Sequence, residues 1–182
     1  MSELKTILLE MNNVLSQLTD QGLNETLKYI DPQKRMFITG EGRSGFMAKS
    51  FAMRLMHLGL QVYVIGETIT PSLLKGDVII AISGSGTTKS VLQTVIKGRE
   101  LNCSILAITT NSESELSKHA DEVFIIPAAT KHRKEHEAKS MQPLSSLFDQ
   151  TVHIVCDTIC LKYANQQALD HQAVLARHSN VE

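Results

Sequence analysis

Tryptophan is absent from this chain, and only 4% of its 182 residues are aromatic. So thin an aromatic complement removes the stacking platforms on which single-stranded nucleic acid is held. Charge of one sign is lacking too: 18 lysines and arginines against 19 acidic residues leave a formal net charge of -1. A near-neutral chain gives no electrostatic case for nucleic acid or an anionic membrane. No apolar run approaches the ~20 residues of a membrane span. The opening Met1-Ser2-Glu3-Leu4-Lys5 lacks the basic-then-apolar order of a signal peptide. Three cysteines, Cys103, Cys156 and Cys160, cannot all pair and make no zinc-like cluster, so a reducing cytoplasm is the expected location.

What is there is core. With 42% hydrophobic residues, the chain supports one domain over 1–182. Short apolar runs at 35–39, 61–65, 77–82, 103–109 and 122–126 read as strands buried on both faces. Helical patterns at 44–58, 87–101 and 113–120 alternate with them, giving βαβ units and a parallel sheet. Two N-terminal helices, 4–18 and 23–30, fill residues 1–31. An α/β core covers 34–127, and one long helix over 144–168 with a polar tail makes up 144–182. The expected fold is a three-layer α/β/α sandwich on a five-stranded parallel sheet, flavodoxin-like if the strand order is 2-1-3-4-5.

Chemistry concentrates in two strand-to-helix turns. Ile80-Ala81-Ile82 runs into Ser83-Gly84-Ser85-Gly86-Thr87-Thr88, small and hydroxyl-rich, before a helix. Glycines admit an anion close to the backbone, the helix start offers N–H groups, and the hydroxyls add donors. Lys89 follows Thr88 rather than a glycine, so the Walker pattern is missing and a monophosphate ester fits better than a nucleoside triphosphate. Met36-Phe37-Ile38-Thr39 runs likewise into Gly40-Glu41-Gly42-Arg43-Ser44-Gly45. In a flavodoxin-like order these loops end neighbouring strands at the switch point, where one site uses both.

Gly42-Arg43-Ser44-Gly45, Phe51-Ala52-Met53-Arg54-Leu55-Met56-His57-Leu58-Gly59, Gly66-Glu67-Thr68-Ile69-Thr70-Pro71 and Ser83-Gly84-Ser85-Gly86 resemble the sugar isomerase (SIS) domain. Within it the chain is most similar to the 6-phospho-3-hexuloisomerases, through Gln142-Pro143-Leu144, Ser146-Leu147-Phe148 and the ending Arg177-His178-Ser179-Asn180. The resemblance implies conversion of D-arabino-hex-3-ulose 6-phosphate to D-fructose 6-phosphate through a 2,3-enediolate, in the ribulose monophosphate route of formaldehyde fixation. It implies no cofactor and no metal, a phosphosugar ligand, a homotetramer or dimer of dimers, and functional pairing with a 3-hexulose-6-phosphate synthase.

Residue by residue, the resemblance assigns phosphate binding to Ser44, Ser83, Ser85 and Thr88, each also a plausible helix cap. Gly42, Gly84, Arg43 and His178 would contact the rest of the substrate. Asp149 stands where the family usually carries a glutamate base; aspartate keeps the carboxylate but shortens its reach by about 1–1.5 Å. Glu67 is the alternative base. His57, a helix cap or core residue on sequence grounds, becomes a candidate acid or carbonyl polariser. In related oligomers a neighbouring subunit completes the pocket, a route open to His57 and His178.

Other features read as structural. His132-x3-His136 has metal-compatible spacing, but Lys131, Arg133, Lys134 and Lys139 make the segment a solvated charged loop. Cys156 and Cys160, and Met47, Met53 and Met56, read as packing residues. Two further functions stay open. Gly40, Gly42 and Gly45 formally spell G-x-G-x-x-G, with Glu67 placed as a ribose-binding acid, which suits an NAD-binding module. A non-catalytic phosphosugar sensor is the other, although the N-terminal helices carry no basic recognition face.

Overall fold

The computed structural model describes residues 2–133 and 137–181; Lys134, Glu135 and His136 lie outside the described residues, and with them one half of the His132-x3-His136 pair. Five strands, β1 (Met36–Gly40), β2 (Val62–Val64), β3 (Val78–Ile82), β4 (Ser104–Thr109) and β5 (Glu122–Ile125), pair in parallel in the order β2-β1-β3-β4-β5. The sequence direction reverses between β1 and β3. The helices are α1 (Glu3–Leu15), α2 (Asp20–Leu27), α3 (Gly42–His57), α4 (Lys89–Glu100), α5 (Glu115–His119), α6 (Ser146–Gln166) and α7 (His171–Leu175).

Period-two alternation sorts the strand residues between two layers. Met36, Ile38, Ile80, Ile82, Leu106 and Ile108 join one core with Phe51 and Leu55 of α3 and Phe148, Val152 and Ile159 of α6. Phe37, Ile79, Ala81, Ile105 and Ala107 join a second core with Val91 and Val95 of α4 and Leu116 of α5. Each fully buried Ile, Leu or Phe contributes about 1.5–3 kcal/mol relative to exposure. That is why these strands are apolar nearly throughout.

The β1–β3 pair is fixed at both ends. At the N-terminal end Arg35 donates to Asp77 through Nε at 2.9 Å and Nη2 at 2.6 Å, and the Leu74 amide donates to the same carboxylate at 2.7 Å. At the C-terminal end Gly40 lies opposite Ile82, so the following loops leave the sheet side by side. A Cβ on Gly45 would stand 2.9 Å from the Gly40 carbonyl oxygen, so only glycine lets α3 sit this close to the end of β1. Gly86 turns the second loop with φ +63°, where a Cβ would stand 2.4 Å from that of Ser114.

Several boundaries differ from the sequence reading. α2 begins at Asp20, because the Thr19 side chain accepts from the Gly22 amide and caps it. Leu144 has φ +52°, so α6 starts two residues later, at Ser146. Residues 171–175 of the expected polar tail are helical, capped by Asp170. Met53 and Met56 are 51% and 40% exposed rather than core, as is Phe46 at 67%. Cys156 and Cys160 are core, as expected, and burial pushes the Cys160 thiol up to about 12. Among the described residues, no helix is long and apolar enough to cross a membrane.

Candidate active site

The loops after β1 and β3 and the segment entering α6 line a cavity of about 290 Å³. Three helix N-termini meet there. The capping residues Glu41 of α3, Thr88 of α4 and Ser145 of α6 all line the cavity, and none makes a side-chain capping bond. By contrast α2, α5 and α7 are capped by Thr19, Ser114 and Asp170. N-termini without side-chain caps offer first-turn N–H donors, although the Ser146 amide of α6 donates to the Pro143 carbonyl at 3.1 Å, and the positive ends of three helix dipoles. Such a cavity suits an anion.

Hydroxyls line one wall. Buried Ser83 shares a 2.9 Å hydrogen bond with Thr88 and accepts from the Gly86 amide at 3.2 Å. Ser85 Oγ accepts from the Thr87 amide at 3.3 Å and the Thr87 hydroxyl at 3.1 Å. Gly84 is small for a packing reason: a Cβ would meet the Phe148 ring at 3.0 Å. Gly42 and Gly84 both line the cavity.

Asp149 stands in the opposite wall, only 2% exposed. Ser44 Oγ donates to its Oδ1 at 2.7 Å, and Arg43 Nε lies 3.4 Å from its Oδ2. Burial pushes the Asp149 carboxyl above the ordinary aspartate value; the Ser44 hydrogen bond and the Arg43 charge pull it down without cancelling the rise. A buried, cavity-facing carboxyl with a raised pKa is suited to proton transfer.

Three sequence candidates lie elsewhere. Glu67 follows β2 and pairs with Lys49 of α3 at 2.6 Å, outside the cavity lining. His57 closes α3 thirteen residues beyond Ser44, about 20 Å along the helix at 1.5 Å per residue. It is buried, stacked on His178 with ring centroids 5.3 Å apart, and its Nδ1 has no hydrogen-bond partner among the described residues. Burial, followed by the charges of Arg54 and His178, lowers its pKa. Asp149 and Ser44 are thus brought together by this fold, and His57 and His178 are brought together away from them.

Lys131 and Ser145 are cavity residues that the sequence reading missed. Lys131 lies in an exposed turn, as its charged surroundings lead one to expect, and its amide donates to Ser145 Oγ at 3.1 Å, tying it to the start of α6. The segment is anchored further where Glu137 accepts from the Thr130 amide and hydroxyl, and where Glu10 of α1 accepts from Ser140, Met141 and Gln142. The usable signal was its position between the last strand and the acid-bearing helix. Glu41 also lines the cavity and accepts from Ser90 Oγ at 2.7 Å, joining the first turns of α3 and α4.

The SIS domain family matches residues 29–154, spanning both loops and Asp149. The chain belongs to the SIS domain family. Curated relatives named 3-hexulose-6-phosphate isomerase include one from Bacillus subtilis, 38% identical over 97% of this chain and 95% of the relative. Another, from Methanocaldococcus jannaschii, is 36% identical over 100% and 99%. A crystal structure of a hypothetical protein from Methanococcus jannaschii, for which that same isomerase function is inferred, superposes with TM-score 0.83 at 31% identity, covering 100% of both chains.

Cavity binding of a phosphate group is measurable with inorganic phosphate by 31P NMR titration. Lys131→Ala and Thr88→Val should each weaken it by about fivefold or more. Unchanged affinity in both would place the phosphate outside this SIS cavity.

Proposed function

We propose that this SIS domain interconverts D-arabino-hex-3-ulose 6-phosphate and D-fructose 6-phosphate, within the ribulose monophosphate route and in the cytoplasm. The observation that carries the reading is one cavity with an anion-binding wall of hydroxyls and helix N-termini facing a buried carboxylate. Near-full-length relatives of that name support it. The phosphate is held by Ser83, Ser85, Thr88 and Lys131, and its binding energy positions the reacting carbons. Asp149 takes the proton from C2 of the 3-ulose, giving a 2,3-enediolate. The C2 hydroxyl proton passes to the C3 oxygen and the carboxyl returns its proton to C3, leaving a hydroxyl at C3 and the carbonyl at C2. No carbon–carbon bond changes.

The homo-oligomer, a tetramer, is part of the proposal. It is supported by the exposed Phe46, Met53 and Met56 on α3, and by the His57–His178 pair, whose His57 lies about 20 Å along α3 from Ser44, the partner of Asp149. In an assembly those faces meet, and the exposed His178 of one subunit, backed by the buried His57, serves the cavity of another.

Asp149→Asn should lower kcat about 100- to 10,000-fold with the fold retained; near-normal turnover would refute the base assignment. Ionised Asp149 is the active form and burial raises its pKa, so kcat/KM should fall on acidification at a higher pH than an exposed aspartate would give. Mixing Asp149→Asn with His178→Ala subunits after dissociation should regain activity that neither variant has alone. No regain would contradict service across subunits.

A further inference from the structure

Hydroxyl donors in the cavity can be counted. A serine or threonine hydroxyl has one proton to donate, and a phosphate dianion offers only acceptors. Ser85 Oγ accepts both of its hydrogen bonds, so its own proton is free to donate. Ser83 and Thr88 share one bond, which consumes one proton of the two and leaves the other for a ligand. Ser44 differs. Its proton is committed to Asp149 Oδ1 at 2.7 Å, the short range of a hydroxyl bonded to a carboxylate. Diverting it to phosphate would leave that oxygen of a nearly fully buried carboxylate without its donor.

We propose that Ser44 is not a phosphate ligand but a positioning residue that holds Asp149 by Oδ1 and favours its ionised form. Together with Arg43 on Oδ2 it fixes the carboxylate from two sides, both contacts coming from the first turn of α3. This rests on Asp149 being the base. An aspartate has one side-chain torsion fewer than glutamate, and two contacts from α3 hold what remains. Among the described residues the other charged groups lining the cavity are Arg43 and Glu41 at the start of α3 and Lys131 after β5, and Arg43 is in ion-pair contact with Asp149.

The test compares pH profiles of kcat/KM for the wild type and Ser44→Ala, with inorganic phosphate as competitive inhibitor. Ser44→Ala should lose about tenfold or more at the acid end. The loss should shrink as pH rises, because the acid limb moves up when the donor to the ionised form is gone. Phosphate inhibition should stay unchanged. Ser44→Cys, which keeps the size but donates weakly, should move the limb the same way, and Ser44→Thr should restore it. Weakened phosphate inhibition with an unmoved limb would overturn the proposal and return Ser44 to the phosphate. Adding Ser44→Ala to Asp149→Asn should cost nothing more; a further full loss would overturn it too. Near-normal activity of Asp149→Asn alone would instead remove the base on which the proposal stands, an outcome separate from any result at Ser44.

Discussion

Everything at the site depends on β1 lying directly against β3. The reversal of strand order at that pair opens a crevice beyond the strand ends and delivers two glycine-bearing loops into it together. The Arg35–Asp77 pair holds the strands at one end, and Gly45 lets α3 press onto β1 at the other. Were the two strands separated by a third, the hydroxyl loop and the Ser44 turn would sit some 10 Å apart, at about 4.8 Å per strand spacing. No single cavity would then hold both.

The cavity has two walls that do different work. Ser83, Ser85, Thr88 and the start of α4 place hydroxyl and N–H donors in one wall, an arrangement that suits an anion. The other wall places one carboxylate out of water, where an unpaired charge would cost several kcal/mol. Two contacts from α3 offset part of that cost without neutralising the group, so Asp149 stays titratable rather than locked. Packing ties the walls together: Phe148, one residue before Asp149, rests against Gly84 in the hydroxyl loop. A side chain at Gly84 would therefore disturb the acid as well as the hydroxyl wall.

Much of this was legible in the sequence. Apolar β-branched runs such as Val78–Ile82, too short for a helix and bounded by turn residues, read as strands covered on both faces, and the glycines after them mark the turns. The sequence reading kept His57 among the site candidates, although thirteen residues of one helix already separate it from Ser44 by about 20 Å. What could not be read was the choice of partner. Ser44 caps a helix, binds phosphate or holds an acid with the same composition, and only the arrival of Asp149 from 105 positions away decides among them. Lys131 was hidden for a related reason: its segment has no periodicity, and its course is set by contacts from Glu10, Glu137 and Ser145. Patterns report elements, whereas these contacts depend on the assembled fold.

The central claim is enolisation between C2 and C3 of a ketose phosphate. It is tested most directly by incubating fructose 6-phosphate with the protein in D2O and following the sugar protons by NMR. The account predicts solvent deuterium entering at C3, together with formation of the hex-3-ulose phosphate. Exchange at C1 instead, or binding of the sugar phosphate with neither exchange nor 3-ulose formed, would contradict it.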